Sequence, residues 1–232
     1  RLWAATDSGV KIAGNDELRT IGVEQGLPDP AALGIARAVD GSHWVGTASG
    51  VVHIAGGRIV AYGPEHGLPA DGARVVLPLP DGGVRVGAGD GPYILRDGRF
   101  QRDPIELPHD EVSAMLLDRV GSLWIGMAGQ GLYRVNAGGI SKIDSSSGLP
   151  NDHVGALQED MQGNLWIATH GGLAQLRETQ FANYARLDGL VDDFVRALAR
   201  DQQGAVWVAT NAGLSKIDQG QVVLGSWGEG AS

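Results

Sequence analysis

Four aspartates recur at one position of a short turn phrase. Asp71, Asp110, Asp152 and Asp193 each fall three residues after a leucine (Leu68, Leu107, Leu149, Leu190), in phrases such as GLPAD and GLPND. Asp29 is one residue out of that register, and Pro30 takes the slot there. A second recurring turn, which follows an apolar run, holds Asp7, Ser49, Asp90, Gln130, His170 and Asn211. If the two turns share a rim, their carboxylates and amides converge and could hold a cation, a polyamine or sugar hydroxyls. The competing reading is local: each Asp caps its own turn by accepting from backbone N–H. Ligand selectivity would then reside where the loops differ from one another. The candidate ligand-binding set is Asp71, Asp90, Asp110, Gln130, Asp152, His153, His170, Asp193 and Asn211.

His109-Asp110 and Asp152-His153 invite a metal or acid–base reading, but the histidine positions change from repeat to repeat. No HExxH, GxSxG or DxDxDG spacing supports such chemistry. The chain has no cysteine, which removes thiolate metal sites, cysteine nucleophiles and disulfide scaffolds. Neither catalytic residues nor a metal or cofactor are expected.

The elements that must position these turns follow from a recurring phrase. It reads LWAAT, HWVGT, VRVGA, LWIGM, LWIAT and VWVAT, with Trp3, Trp44, Arg85, Trp124, Trp166 and Trp207 at intervals of 41, 41, 39, 42 and 41 residues. A period near 40 signals an array of identical small units. In the fullest copy, Val154–Gln158, Leu165–Thr169, Leu173–Leu176 and Phe181–Ala185 read as short strands divided by Gly-, Pro- and Asp-bearing turns. The 37 glycines oppose a helical repeat of similar length. The fold class expected is all-β: a β-propeller of four-stranded antiparallel blades, with about six repeats of roughly 41 residues. The opening unit has sequence for three strands only. Blades are placed near 1–22, 23–63, 64–102, 103–144, 145–185 and 186–232, in one domain.

A Trp in the same slot of successive blades packs blade on blade, so Trp3, Trp44, Trp124, Trp166 and Trp207 are assigned to structure. Trp227 falls outside the register. Asp118, Asp160 and Asp201, six residues before a Trp, and Asp40 and Asp81, four before the same slot, read as turn residues on the opposite rim. Arg85 can pack its stem in the Trp slot while its guanidinium seeks a carboxylate or carbonyl.

The formal charge of −9 is spread through the turns, which opposes nucleic-acid or anionic-membrane binding. No run approaches the roughly 18 apolar residues of a membrane span. Because Arg1 opens inside a repeat, the sequence reads as a piece of a longer precursor.

The run GLPNDHVGALQEDMQGNLWIATHGGL, from Gly148 to Leu173, resembles the two-component regulator propeller repeat. The likeness extends along the chain, strongly in four units and weakly around Arg85, with Pro30 and Arg85 as departures. That resemblance implies a periplasmic sensor region of a bacterial histidine kinase or diguanylate cyclase, binding a small-molecule or glycan ligand and signalling through a homodimer of its parent receptor. It supplies no catalytic residue. Two alternatives stand beside it. A streptogramin-lyase-like enzyme would show WFTE where this chain has WVGT, WIGM, WIAT or WVAT, with no Glu after the Thr. A protein-docking scaffold would show an apolar patch on one face.

Overall fold

The structure, a computed structural model, describes residues 1–14, 17–177, 180–218 and 220–225. Trp227 lies outside the described residues. The chain divides into two compact units, Arg1–Val112 and Ser113–Ser232.

In the first unit, β1 (Leu2–Thr6), β2 (Gly9–Gly14) and β3 (Glu17–Ile21) form a three-stranded sheet. Two four-stranded sheets follow: β4 (Ala32–Arg37), β5 (His43–Thr47), β6 (Gly50–Ala55) and β7 (Arg58–Tyr62), then β8 (Val75–Pro78), β9 (Val84–Ala88), β10 (Gly91–Arg96) and β11 (Arg99–Arg102). The next sheet comprises β12 (Val112–Leu117), β13 (Leu123–Met127), β14 (Gly131–Asn136) and β15 (Gly139–Ile143). The second unit continues with β16 (Val154–Glu159), β17 (Leu165–Thr169), β18 (Gly172–Arg177) and β19 (Gln180–Tyr184), and closes with β20 (Val195–Arg200), β21 (Val206–Thr210), β22 (Gly213–Asp218) and β23 (Gln221–Gly225). Every sheet is an antiparallel meander in chain order, the blade of a β-propeller. The repeat phrase is the second strand of each complete blade. The opening blade begins with that strand, as its sequence predicts.

Alternation within the phrase explains the core. Trp166 and Ala168 project from one face of β17, and Leu165 and Ile167 from the other. Trp166 packs with Val206, Val208 and Ile217 of the following sheet. Trp124 does the same with Leu165, Ile167 and Leu176, Trp44 with Val84 and Val86, and Trp3 with Val45, Val52 and Ile54. Trp44, Trp124 and Trp166 are each 5% exposed or less. Trp3 and Trp207 are half-buried.

Polar residues of the repeat settle the turns. The hydroxyls of Thr6, Thr47, Thr169 and Thr210 each donate to the carbonyl three residues on, at 2.7, 3.0, 2.7 and 2.9 Å. This closes the tight turn between second and third strands. Before the GLP phrase lies an element that strand patterning does not reveal, a single turn of 3-10 helix at Val23–Gln25, Pro64–His66, Ser145–Ser147 and Arg186–Asp188. Each ends on a glycine in the left-handed region, Gly26, Gly67, Gly148 or Gly189, with φ of 111°, 91°, 114° and 103°. That conformation is why the phrase opens with glycine.

Deleting a ring that joins two sheets removes its transfer energy and leaves a cavity. Trp166→Ala is expected to cost about 3–5 kcal/mol of stability, read as a lower urea midpoint at unchanged m-value. A shift below 1 kcal/mol would show that the Trp slot does not join the blades.

Candidate functional site

Each complete blade has two loop edges. The turn between first and second strands lies at one, and the turn between second and third strands lies with the GLP loop at the other.

At the first edge the spacing of Asp and Trp acquires a reason. The indole Nε1 of Trp124 donates to Asp118 at 2.9 Å, Trp166 to Asp160 at 2.9 Å and Trp207 to Asp201 at 3.1 Å. The same carboxylates accept turn amides, such as those of Ser122 at 2.7 Å, Asn164 at 2.9 Å and Ala205 at 2.9 Å. A buried indole must place its N–H, and an Asp folded back across the turn supplies the acceptor. Where the Asp stands four residues before the slot, other contacts replace this bond. Asp40 accepts from Ser42, and Trp44 stacks on His53 at 4.2 Å. Asp81 accepts from Gly83 N, and Arg85 in the Trp slot donates through Nε to Asp103 at 2.6 Å. The Asp103 side chain is only 1% exposed, so this ion pair is an internal feature of its blade.

At the GLP edge, the candidate carboxylates separate by role. Asp152 accepts from Ser145 N at 2.6 Å and Ser145 Oγ at 3.1 Å, and Asp193 accepts from Arg186 N at 2.6 Å. Both cap the 3-10 turn seven residues earlier, satisfying donors that no intra-turn bond can take. Asp71 has no such duty, because the equivalent residue is Pro64, which carries no N–H. It is exposed, and one carboxylate oxygen crowds the position a Cβ would take at Gly89. Asp90 is held by Tyr93 and Arg102, each at 3.0 Å. Asp110 accepts from Glu111 N at 2.8 Å. Asp29 accepts from Ala31 N at 2.8 Å and Ser49 Oγ at 3.1 Å. Gln130 is half-buried, and His109 is exposed.

Three predicted residues do come together, with two the sequence did not single out. The His153 ring stacks on His170 with centroids 4.9 Å apart and planes 15° from parallel. His170 stacks in turn on Phe194 at 3.9 Å. The Arg196 guanidinium lies over Phe194 at 5.1 Å, and its Nε donates to Asn211 Oδ1. Backbone bonds set the spacing: His170 N donates to His153 O at 3.1 Å, and Asn211 N to Phe194 O at 3.2 Å. Gly129 clears the space beside His153, since a Cβ there would meet its ring at 3.2 Å. Arg196 reaches the shelf because the β20–β21 register slips between Val195 and Ala197, a bulge that re-aims the extra side chain. Phe194 occupies the same repeat position as His153, the residue after the recurring Asp, and that shared position was the signal available for it. Arg196 left no such signal, because a bulge is not visible in strand alternation.

This shelf offers imidazole, guanidinium and amide groups beside an apolar ring. It suits stacking on a planar or sugar face with polar groups at the edge. No carboxylate hydrogen-bonds to either imidazole among the described residues, so the pair lacks the orienting partner of an acid–base histidine. Nor does any group of three or more His, Asp or Glu among the described residues have the placement to hold a metal ion.

The fold is that of a β-propeller. The family model described as two component regulator propeller matches residues 148–171 and 189–212, so these two blades carry that family's repeat. A comparison with curated protein sequences gives no match. Among solved structures, the extracellular domain described as that of a hybrid two component system of B. thetaiotaomicron is 21% identical with a TM-score of 0.79. The match covers 92% of this chain and 31% of that one. The chain therefore spans under a third of that relative's length. Virginiamycin B lyase from Staphylococcus aureus is 14% identical with a TM-score of 0.75, over 95% of this chain and 78% of the lyase. PorZ, a surface component of the type-IX secretion system of Porphyromonas gingivalis, is 17% identical with a TM-score of 0.65, over 91% and 36% of the two chains. At such identities the likeness is one of fold.

Burial, followed by the charges of His153 and Arg196, holds the His170 pKa below its ordinary 6.5. Burial, followed by Arg37, does the same to His43, which stacks on Trp3 at 3.8 Å. The unfolded chain then binds more protons between the folded and unfolded values, so stability falls as pH drops below about 6.5. The melting temperature is expected to be lower at about pH 5 than at about pH 7.5, with part of the difference removed in His170→Gln and in His43→Gln. An unchanged pH profile in both variants would contradict the assignment.

Proposed function

We propose that this chain is a non-catalytic, ligand-sensing propeller from the extracytoplasmic part of a bacterial signalling receptor. The observation that carries this reading is the shelf of His153, His170, Phe194 and Arg196, where residues that differ between blades stack and stay open at the GLP rim. Around it the recurring carboxylates Asp152 and Asp193 cap turns, so selectivity rests on the residues that break the repeat. The two component regulator propeller repeat in the same two blades supports a signalling role. So does the fold shared with an extracellular domain described as part of a two component system. A glycan or another small polar molecule is the proposed ligand, and a homodimer of the parent receptor the proposed route of the signal.

Thermal-shift and calorimetric screening of a glycan panel tests this. A ligand that stabilises the wild type should lose at least about tenfold in affinity in His170→Ala/Arg196→Ala, or about 1.4 kcal/mol. Undiminished binding in that variant would remove the rim from the function. The lyase reading rests on the fold shared with virginiamycin B lyase over 95% of the chain. Turnover by this chain of quinupristin, the compound held in a structure of an inactive virginiamycin B lyase, abolished in His170→Ala, would replace sensing with catalysis.

A further inference from the structure

We propose a second binding site, independent of the rim reading, in the groove between the fifth and sixth sheets at the Asp–Trp edge. Its ligand would be a small zwitterion of dipeptide size. The groove encloses about 470 Å³, within the range of small-molecule sites. Its lining includes Gln175, Arg177, Asp218, Asn164 and Gln203.

Gln175 is the first sign that the groove is built. It lies directly across from Trp166, where the other Trp blades of complete length place His53, Arg134 and Lys216. Those three are engaged locally: His53 with Ser42 at 2.9 Å, Arg134 with Ser122 at 3.0 Å, and Lys216 with Asp201 at 3.4 Å. Gln175 is only 2% exposed. Its Oε1 accepts from Arg177 Nε at 2.8 Å, while its amide nitrogen donates to no protein group among the described residues. Among those residues the one buried side-chain polar atom without a partner is Asp90 Oδ1, so the Gln175 nitrogen keeps its access to the groove. A buried amide left with a free donor facing a cavity is a recognition group in waiting.

Charge defines the ligand. Holding Nε fixes the Arg177 guanidinium and leaves its two terminal nitrogens to take a carboxylate in bidentate fashion. Gly220 keeps the space open, because a Cβ there would stand 3.3 Å from Arg177 Nη2. Asp218 lines the same groove, and neither it nor Arg177 enters an ion pair among the described residues. Asp160 is excluded from this role, since its oxygens already serve Trp166, Asn164 and two turn amides. One cation and one carboxylate without an ion-pair partner among the described residues match the two ends of a zwitterion, and the amides of Asn164 and Gln203 match a peptide bond between them. A neutral sugar would hydrogen-bond to both groups but bring no opposite charge to either.

Titration calorimetry with L-alanyl-L-alanine on the full chain tests the site. Binding to wild type is expected, with at least about tenfold loss in Arg177→Gln, Gln175→Leu and Asp218→Asn, and none in His170→Ala. Asp218 is exposed, so Asp218→Asn stays informative if the buried Gln175→Leu variant does not fold. Absence of dipeptide binding to wild type, or wild-type affinity in Asp218→Asn or Arg177→Gln, would overturn the proposal. So would displacement of the dipeptide by maltose. Loss of binding in His170→Ala would assign the dipeptide to the rim instead.

Discussion

The indole ring that joins one blade to the next carries a polar N–H, and burying the ring favours giving that group an acceptor. In three blades the acceptor is an aspartate six residues earlier, at 2.9, 2.9 and 3.1 Å. That carboxylate also gathers the amides of the turn it belongs to, so one side chain fixes the turn, the Trp rotamer and the surface offered to the following sheet. Asp160 shows the electrostatic consequence. Burial pulls its pKa upward, but hydrogen bonds from Asn164, Trp166 and the turn amides outweigh it and hold the carboxyl below its ordinary 3.8. Because the folded value is the lower, the stability this contributes is present above about pH 3.8 and is lost as the carboxylate protonates below it.

A frame fixed this way leaves the GLP edge free to vary. Thr hydroxyls close the turns between second and third strands, and Asp152 and Asp193 satisfy the 3-10 turns beside them. With backbone groups already served, positions such as His153, His170, Phe194 and Arg196 carry little structural duty and can differ from blade to blade. The Asp–Trp edge behaves differently. There the neighbours across from Trp44, Trp124 and Trp207 spend their polar ends within their own blades, whereas Gln175, whose Oε1 accepts from Arg177, keeps an amide nitrogen with no protein partner among the described residues.

The alternation of LWIAT and the near-constant interval between Trp slots made strands, blades and the three-stranded opening sheet legible, because each reports a backbone period. The turn chemistry of Asp118, Asp160 and Asp201 was legible as well, but the indole bond was not, since it requires knowing that a side chain folds back over six residues. The short 3-10 turns escaped notice because three residues are too few to show a helical period. At the rim, the shared positions of His170 and Asn211 pointed to one edge. Their assembly with Phe194 and Arg196 depended on a bulge and on ring orientations that sequence spacing does not encode.

The central claim, that an aspartate–indole hydrogen bond ties the turn to the blade interface in three blades, is tested most directly by a double-mutant cycle between Asp160→Ala and Trp166→Phe. Unfolding free energies of the two single variants and the double variant isolate the pair. The account predicts a coupling of about 1–3 kcal/mol, the range for a buried hydrogen bond to a charged group. Additivity within about 0.3–0.5 kcal/mol would contradict it and reduce the constant spacing of Asp and Trp to turn chemistry alone.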